Sequence, residues 1–259
     1  IDGTFIHFLI QEIKPQIINK HISKLISIND QSYAFLLNKK DKFLINFNDL
    51  FTTIQMSHID YINSPSQLTN TLKKHLENGI IQDLSQYHND RIVIIDIANK
   101  DELGYYKNYK LILELTSRFA NIILTDHNYY IIDALKKQTD INERLILPKV
   151  KYQFLESHKL NPFLANSDVP ETSNIYEGVS KNLFQEFHYQ NSIKKVLEQK
   201  LNPTIILGTK TSFYVFPLQA IPGEKIPFSS ISEMLDYYII NTKDTIIKEL
   251  TASLRDQQR

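Results

Sequence analysis

Hydrophobic residues recur at two different spacings along the first third of the chain. Apolar side chains at helical intervals of four residues stand at Phe5, Leu9, Ile13 and Ile17. They predict an amphipathic helix whose start Asp2 can cap. Three apolar runs follow at 22–28, 32–37 and 43–47, and the short polar segments between them are typical of hairpin turns. The pattern therefore predicts a helix and then an antiparallel meander of strands.

The same two spacings continue to about residue 150. A second helix is expected from Ser66, as its N-cap, to the C-cap pair Asn78-Gly79. Apolar runs at 80–87 and 92–97, and a pair of strands between residues 111 and 134, add to the strand count. Roughly seven strands around two helices indicate an α+β fold of antiparallel sheets with packed helices.

The best candidate for a linker lies at 160–170, where Asn161-Pro162 and Val169-Pro170 interrupt the periodic pattern. It divides a domain at 1–160 from a second region at 171–240. The pattern in that region predicts helices near 192–198 and at 230–239, and a hairpin about Gly208 with strands at 204–207 and 213–216. Ser180 can act as the N-cap of a further helix. An amphipathic pattern then continues over residues 241–259.

Arg118 is the first candidate for chemistry, because it interrupts an apolar stretch between two predicted strands. A guanidinium is always ionised, so in such a place it needs a carboxylate or a phosphate to face. Two interpretations are open: Arg118 contacts a phosphate in a groove, or it is a buried structural arginine paired with Glu114 or Asp133.

Asp90-Arg91 is the second candidate. The planar fork of an arginine can bind a phosphate through two hydrogen bonds, and a neighbouring carboxylate can orient it or accept a hydrogen bond from a ribose hydroxyl. The alternative is that His88-Asn89-Asp90 is simply a polar hairpin turn before the next strand.

Lys73, Lys74 and His75 are consecutive on the second predicted helix and fan over about 200°, so they cannot all face one ligand. One lysine is expected to face solvent, and the other to join Arg91 and Arg118 in a basic patch. Three adjacent tyrosine pairs could stack on bases, but one member of each is expected to pack inward. These pairs are Tyr105-Tyr106, Tyr129-Tyr130 and Tyr237-Tyr238.

The amino-acid composition excludes several classes of function for this chain. The 259 residues are 42% hydrophobic, and their 29 basic and 29 acidic side chains cancel, so a nucleic-acid surface would have to come from local clustering of charge. Since there are no cysteines, disulfides and thiolate metal sites are excluded. The sequence shows no membrane-length apolar run and no signal-peptide pattern, so a cytoplasmic location is expected. No catalytic motif or metal-ligand spacing occurs, so neither an enzyme nor a cofactor is expected.

Four blocks of the sequence, taken in order, resemble the NFACT-N signature of the FbpA/RqcH family. They are Asp2-Gly3-Thr4-Phe5, the segment 72–79, Asn89-Asp90-Arg91-Ile92, and Glu114 with the segment 117–124. Lys73 stands where the family has an arginine, and Phe119-Ala120 stand where its members have His-Ser. A fifth block, Tyr176-Glu177-Gly178-Val179-Ser180, resembles the Phe-Glu-Gly-Ile-Ser that begins the family's helix-hairpin-helix segment.

The resemblance implies a fold and a division of the chain. The domain at 1–160 would be an NFACT-N domain, similar to the N-terminal domain of formamidopyrimidine-DNA glycosylases. Residues 171–240 would form a small, mainly helical helix-hairpin-helix region with a short hairpin. Residues 241–259 would be the truncated start of a coiled coil.

The resemblance also implies a function in ribosome-associated quality control. Such proteins bind a stalled large ribosomal subunit carrying peptidyl-tRNA and recruit tRNA, alanyl-tRNA in bacteria, for template-free C-terminal tailing. The chain would then be a tRNA- and rRNA-binding module, with contacts from Asp90, Arg91 and Arg118 and weaker help from Lys73 and Lys74.

Two alternatives remain. One is a fibronectin-binding surface adhesin, which the lack of an export signal disfavours. The other is a nucleic-acid-processing enzyme on the glycosylase-like fold. It is disfavoured because those enzymes open with a proline nucleophile and a glutamate, whereas Ile1-Asp2-Gly3 stand here, and because no cysteines are present for a zinc finger.

Overall fold

The computed structural model describes residues 1–48, 50–166 and 168–242. Helix α1 spans Gly3–Ile17, and the Asp2 carboxylate caps it by accepting a hydrogen bond of 2.7 Å from the Phe5 N–H. The apolar face at four-residue intervals, from Phe5 to Ile17, is completely buried. The predicted first helix is therefore confirmed, together with its cap.

A four-stranded antiparallel sheet follows α1, in the order β1-β2-β3-β4. Its strands are β1 (Ile22–Ser27), β2 (Tyr33–Leu37), β3 (Asp41–Phe47) and β4 (Thr52–Ser57). The first three confirm the predicted meander. β4 was not predicted because it has only two apolar residues, Ile54 and Met56, which alternate with two polar side chains, Gln55 and Ser57. Both side chains are buried and donate hydrogen bonds to Asp236, which offsets the loss of water around them.

Helix α2 spans Thr69–Leu76 and is shorter than predicted. The predicted N-cap, Ser66, is wrong. Leu68 occupies the N-cap position, and its side chain makes no capping hydrogen bond. Instead the Ser66 N–H donates to the Thr69 hydroxyl at 2.8 Å. Leu72 and Leu76 form the buried side of the helix, as its apolar spacing predicts.

A five-stranded antiparallel sheet carries the candidate site and has the order β5-β6-β7-β8-β9. Its strands are β5 (Ile80–Gln86), β6 (Ile92–Lys100), β7 (Tyr106–Glu114), β8 (Asn121–Asp126) and β9 (Ile131–Ala134). Among the described residues before position 150 there are thus nine strands, rather than about seven. The predicted α+β class with antiparallel sheets and packed helices is confirmed.

Two hydrophobic clusters lie on the two faces of this second sheet. The larger runs from Phe5 of α1 through both sheets to Ile239 near the end of the described residues. The smaller lies on the other face and is built around Ile94, Ile112 and Tyr152. The larger cluster continues across residues 160–171, and the division of the chain there stays a prediction.

The last third of the described chain mixes short helices and strands. They are α3 (Lys181–Gln190), α4 (Ile193–Leu197), β10 (Thr204–Leu207), β11 (Ser212–Tyr214), β12 (Glu224–Pro227) and α5, described over residues 231–242. Ser180 caps α3 as predicted, accepting from the Leu183 N–H at 3.4 Å. The helix-hairpin-helix and glycosylase similarities stay predictions.

The coiled-coil prediction for 241–259 lies outside the described residues from position 243 onward. In the described ranges, no helix has the length and apolar character needed to cross a membrane.

Candidate nucleic-acid interface

Asp90 and Arg91 lie in the turn that joins β5 to β6. The Asp90 N–H donates to the Tyr87 carbonyl at 3.1 Å, and one Asp90 carboxylate oxygen accepts from the Arg91 N–H at 2.7 Å. The Gln86 amide donates to the Asp90 carbonyl and to the Gly3 carbonyl, at 2.8 Å each. The turn is therefore tied to the start of α1 as well as to its own hairpin.

Asn89 anchors this turn to two distant segments. Its backbone N–H donates to the Glu177 carboxylate at 2.8 Å, and its side-chain amide donates to the Glu177 carbonyl at 2.8 Å and to the Thr4 hydroxyl at 3.1 Å. The backbone carbonyl oxygen of Asn89 lies between two glycines. A Cβ added to Gly3 would be 1.7 Å from this oxygen, and one added to Gly178 would be 2.1 Å from it. Only glycine fits at both positions.

A cleft of about 330 Å³ opens beside this anchor, and its lining includes Arg91, Lys159, Asp2 and Glu177. The two acids are directed inward: Glu177 binds Asn89, and Asp2 accepts from the Ser180 N–H at 3.1 Å and from the Tyr214 hydroxyl at 2.9 Å. Within the described residues, the Arg91 guanidinium forms no ion pair. The lining also includes Asp90, so the charged groups left open in the cleft are Arg91, Lys159 and the second carboxylate oxygen of Asp90.

Tyr214 helps to keep the Asp2 carboxylate occupied. Burial raises the pKa of its phenol, and the negative charge of Asp2 raises it further, so the hydroxyl stays protonated and donates. No group of three or more histidine, aspartate or glutamate side chains in the described chain could hold a metal ion. The chemistry available in the cleft is anion binding by Arg91 and Lys159.

Arg118 lies on a single turn of 3-10 helix, Ser117–Phe119, which joins β7 to β8. Its predicted position between two strands is confirmed, but the prediction of an apolar environment is wrong, because β7 ends at Glu114 and the connection, in which Ser117 has a φ of 56°, is exposed at residues 117–119. Arg118 is exposed, and its guanidinium lies 4.9 Å from the ring centre of Phe119, which is itself 69% exposed.

The alternative of a buried Arg118 paired with Glu114 or Asp133 is also wrong. Glu114 is buried, but its partner is Arg144, with two hydrogen bonds of 2.5 and 2.8 Å. Asp133 pairs with Lys137 at 3.6 Å. Sequence reasoning missed Arg144. The available signal was Glu114 itself, a carboxylate that alternates onto the same strand face as Ile112 and therefore requires a partner.

Arg91 and Arg118 lie at the same end of the five-stranded sheet. The Leu115 N–H donates to the Arg91 carbonyl at 2.8 Å, and Arg118 is three residues further along. From the reach of the chain, the two Cα atoms are within about 15 Å of each other. Both arginines are thus presented along one edge of the molecule.

Lys73 and Lys74 lie at the opposite end of that sheet. They line a separate cleft of about 890 Å³ with Lys100 and Tyr106. Strand β6 separates this cleft from Arg91 by roughly 26 Å, at about 3.3 Å per residue. The expectation that one lysine joins Arg91 and Arg118 in a single patch is wrong. Lys74 also has an acidic neighbour, Glu102, at 3.7 Å.

The three tyrosine pairs differ in whether one of their rings is buried. In the pairs Tyr129-Tyr130 and Tyr237-Tyr238 one ring packs inward, as expected. Tyr105 and Tyr106 are 68% and 70% exposed, so the expectation is wrong for that pair. The reason is that both residues lie at the tip of the β6–β7 hairpin, which extends beyond the hydrophobic clusters.

Comparison with known proteins relates this geometry to a family. The family described as NFACT N-terminal and middle domains (NFACT_N) matches residues 2–188. The chain belongs to the NFACT_N family. Two of the blocks that resemble the NFACT-N signature, at 2–5 and 89–92, meet the block at 176–180 around the backbone carbonyl of Asn89. The block at 72–79 lies at the other end of the sheet.

Individual relatives extend the comparison. The Rqc2 homolog RqcH of Streptococcus suis is 28% identical over an alignment 264 positions long, which covers 92% of this chain and 47% of that protein. The ribosome quality control complex subunit NEMF of Homo sapiens is 25% identical over 134 residues, which are 51% of this chain and 12% of that protein. The chain thus spans less than half the length of these relatives.

A solved structure has the same fold. It is the N-terminal part of the fibronectin/fibrinogen-binding protein from Streptococcus suis, with a TM-score of 0.82 and 25% sequence identity. The alignment covers 93% of this chain and 99% of that one. The NFACT_N assignment and the observed architecture therefore agree.

Proposed function

We propose that this chain is an RNA-binding positioning module of a ribosome quality control factor, and that it holds tRNA at the turn of Asp90 and Arg91. The observation that carries the proposal is the Arg91 guanidinium, which has no ion-pair partner among the described residues while the turn beneath it is anchored by the buried Asn89. An unpaired arginine on a rigid support is well suited to bind a phosphate.

The names of the relatives support the biological setting. One is a subunit of the ribosome quality control complex, and this chain shares its family. The proposal is that the full-length protein binds the large ribosomal subunit carrying peptidyl-tRNA and recruits tRNA, alanyl-tRNA in bacteria, for template-free C-terminal tailing in the cytoplasm. The ribosome would form the peptide bonds, so this chain would act by binding rather than as an enzyme.

Each residue of the turn has a distinct part in this proposal. Arg91 binds one phosphate through its planar fork. One oxygen of Asp90 is occupied by the Arg91 N–H, and the other is directed to a ribose 2′-hydroxyl, which distinguishes RNA from DNA. Arg118, on the same edge, binds a second phosphate. Lys73 and Lys74 contact a separate part of the RNA at the far end of the sheet.

A filter-binding titration with tRNA over a series of salt concentrations tests the proposal. The variant Asp90→Ala/Arg91→Ala should bind more weakly, and its plot of log affinity against log salt should be shallower by about one contact. Lys194→Ala is the matched control, because Lys194 is an exposed cation on α4 whose neighbour is Glu198 at 3.9 Å. Curves of the double variant that coincide with those of the parent would remove Asp90 and Arg91 from the assignment.

The fibronectin-binding alternative has one observation in its favour, the name of the Streptococcus suis protein with the same fold. It requires the protein to be outside the cell. Trypsin treatment of intact cells should leave the protein undigested if the ribosomal proposal holds. Digestion, together with binding of the purified chain to immobilised fibronectin, would favour the adhesin.

A further inference from the structure

Three aromatic rings form a stack beside the Asp90-Arg91 turn. The centroids of Phe154 and Tyr87 are 3.9 Å apart with an interplanar angle of 14°, and those of Tyr87 and His88 are 4.1 Å apart with an angle of 13°. All three rings are therefore nearly parallel. His88 is exposed, whereas Tyr87 and Phe154 are partly buried.

His88 is the outermost ring of this stack. Carbon atoms do not pack much closer than about 3.5 Å, so two rings on one face of Tyr87 at these centroid distances would overlap. Phe154 and His88 therefore lie on opposite faces of Tyr87. Tyr87 is the one ring in contact with the His88 imidazole in the described part of the chain, so its outer face is open.

The inner end of the stack is held firmly. Phe154 packs edge-on against Tyr129 at 5.6 Å and against Tyr152 at 4.9 Å, and the Tyr152 hydroxyl donates to the buried Glu114 carboxylate at 2.6 Å. These contacts belong to the smaller hydrophobic cluster. A stack supported in this way does not have to be ordered when a ligand binds, which lowers the entropic cost of binding.

The backbone of His88 is held in an uncommon conformation. Its φ is 51°, in the left-handed region that few residues other than glycine adopt. The next residue, Asn89, is fixed by its three hydrogen bonds to Glu177 and Thr4. The anchor that supports Arg91 therefore also holds the imidazole against Tyr87.

We propose that the open face of His88 is a platform on which an unpaired nucleobase of the bound RNA stacks. This inference rests on the proposed function and adds a base contact to it. His88 is three residues from Arg91, so one short stretch of RNA can place a base on the imidazole and a phosphate on the guanidinium. Stacking on an aromatic ring accepts any base, since every base has a π-face.

Two short single-stranded RNAs of equal length, one normal and one abasic, separate base contacts from phosphate contacts. The variants are His88→Asn, which tolerates a positive φ but has no ring, and His88→Phe, which restores an aromatic face. Affinities for both RNAs would be measured by fluorescence anisotropy at fixed salt. Thermal unfolding would select a temperature at which every variant is folded.

The parent should bind the normal strand about 5- to 150-fold more tightly than the abasic strand. His88→Asn should reduce this ratio towards one, and His88→Phe should restore most of it. A ratio that is unchanged in His88→Asn, or that His88→Phe fails to restore, overturns the stacking platform.

Arg91→Ala distinguishes this inference from the proposed function. This variant should lower the affinity for both RNAs by a similar factor, because it removes a phosphate contact. The ratio of the two affinities should therefore stay the same. If Arg91→Ala weakens both strands while His88→Asn leaves the ratio unchanged, the stacking platform fails and the proposed function stands. If the parent binds neither strand, the stacking platform fails, and the tRNA titration decides the proposed function separately.

Discussion

The carboxylate of Glu114 and the guanidinium of Arg144 form a two-pronged ion pair across 30 residues of sequence, with N–O distances of 2.5 and 2.8 Å. The Tyr152 hydroxyl donates to the same carboxylate at 2.6 Å. Burial by itself lowers the pKa of Arg144, but hydrogen bonding to Glu114 and its charge raise that pKa above the ordinary value. Arg144 is thus a structural arginine, whereas Arg118 is free to face a ligand.

Removing Arg144 should destabilise the fold strongly. In Arg144→Met the Glu114 carboxylate stays buried without its cation, and the free energy of unfolding should fall by about 3–5 kcal/mol. The double variant Glu114→Gln/Arg144→Met should recover part of this loss, because no charge is then buried. Arg118→Met is the control and should change stability by less than about 0.5 kcal/mol. Urea unfolding would measure all three, and equal stabilities of Arg144→Met and Arg118→Met would contradict the assignment.

Gly178 should be intolerant of any side chain. Its φ is 73°, and a Cβ there would lie 2.1 Å from the Asn89 carbonyl oxygen. Gly104 is a matched control, since its φ is 84° but no atom lies within 4 Å of an added Cβ. Gly104→Ala should cost about 1 kcal/mol of backbone strain, and Gly178→Ala should cost about 1–3 kcal/mol more.

Gly178→Ala should also weaken tRNA binding at a temperature where the variant is folded, because relief of the clash displaces the turn that carries Arg91. Urea unfolding and the filter-binding titration provide the two measurements. Similar losses of stability in the two alanine variants would show that the approach to Asn89 is not required.

Arg118 and Arg91 should contribute separately to the salt dependence of tRNA binding. Each substitution to glutamine should lower the slope of log affinity against log salt by about one, and the two together by about two. Lys137→Gln on the same edge is the control, because Lys137 already has Asp133 as a partner at 3.6 Å. A double variant with the slope of either single variant would mean that both arginines bind the same phosphate.

The buried Asp236 should make stability depend on pH. Burial raises the pKa of its carboxyl, although the His58 N–H and the Ser57 hydroxyl donate to it and lower that pKa in part. A carboxyl whose pKa is higher in the folded state binds protons more tightly there, so its contribution to stability falls as the pH rises from its ordinary value of 3.8 through the raised value.

The variant Asp236→Asn removes this titrating carboxyl. Comparison with the parent shows whether Asp236 stabilises or destabilises the fold as the pH falls. The free energy of unfolding of the parent, relative to the variant, should increase as the pH is lowered from 7 towards about 4. Because both proteins share all other titrating groups, their difference isolates Asp236. A parent that loses stability relative to Asp236→Asn on acidification would contradict the raised pKa.

Elements with a strong period were predictable from the sequence, and elements held by long-range polar contacts were not. The spacing from Phe5 to Ile17 defines α1 because one apolar face is enough to bury it. β4 is different, since its apolar residues are few and its buried Gln55 and Ser57 donate hydrogen bonds to Asp236, which is 181 and 179 residues away. A local pattern holds no information about such a partner.

The same distinction applies to the candidate site. The Asn89-Asp90-Arg91 turn could be located from its residues, and the structure brings Arg91 and Arg118 to one edge. Arg118 was assigned to the wrong environment because Ser117 adopts a positive φ, which propensity does not favour for serine. The place of His88 in the aromatic stack could not be foreseen, because Phe154, which stacks on its neighbour Tyr87, lies far from both in the sequence.

The position of the Asn89 carbonyl between Gly3 and Gly178 also has a consequence for biosynthesis. The β5–β6 hairpin can pair as soon as its own strands have left the ribosome, but the segment that holds its turn is made some 88 residues later. Contacts between such distant positions form late, since a long loop must close first. The turn that carries Arg91 is therefore anchored only after the segment with Glu177 and Gly178 has been made and has docked.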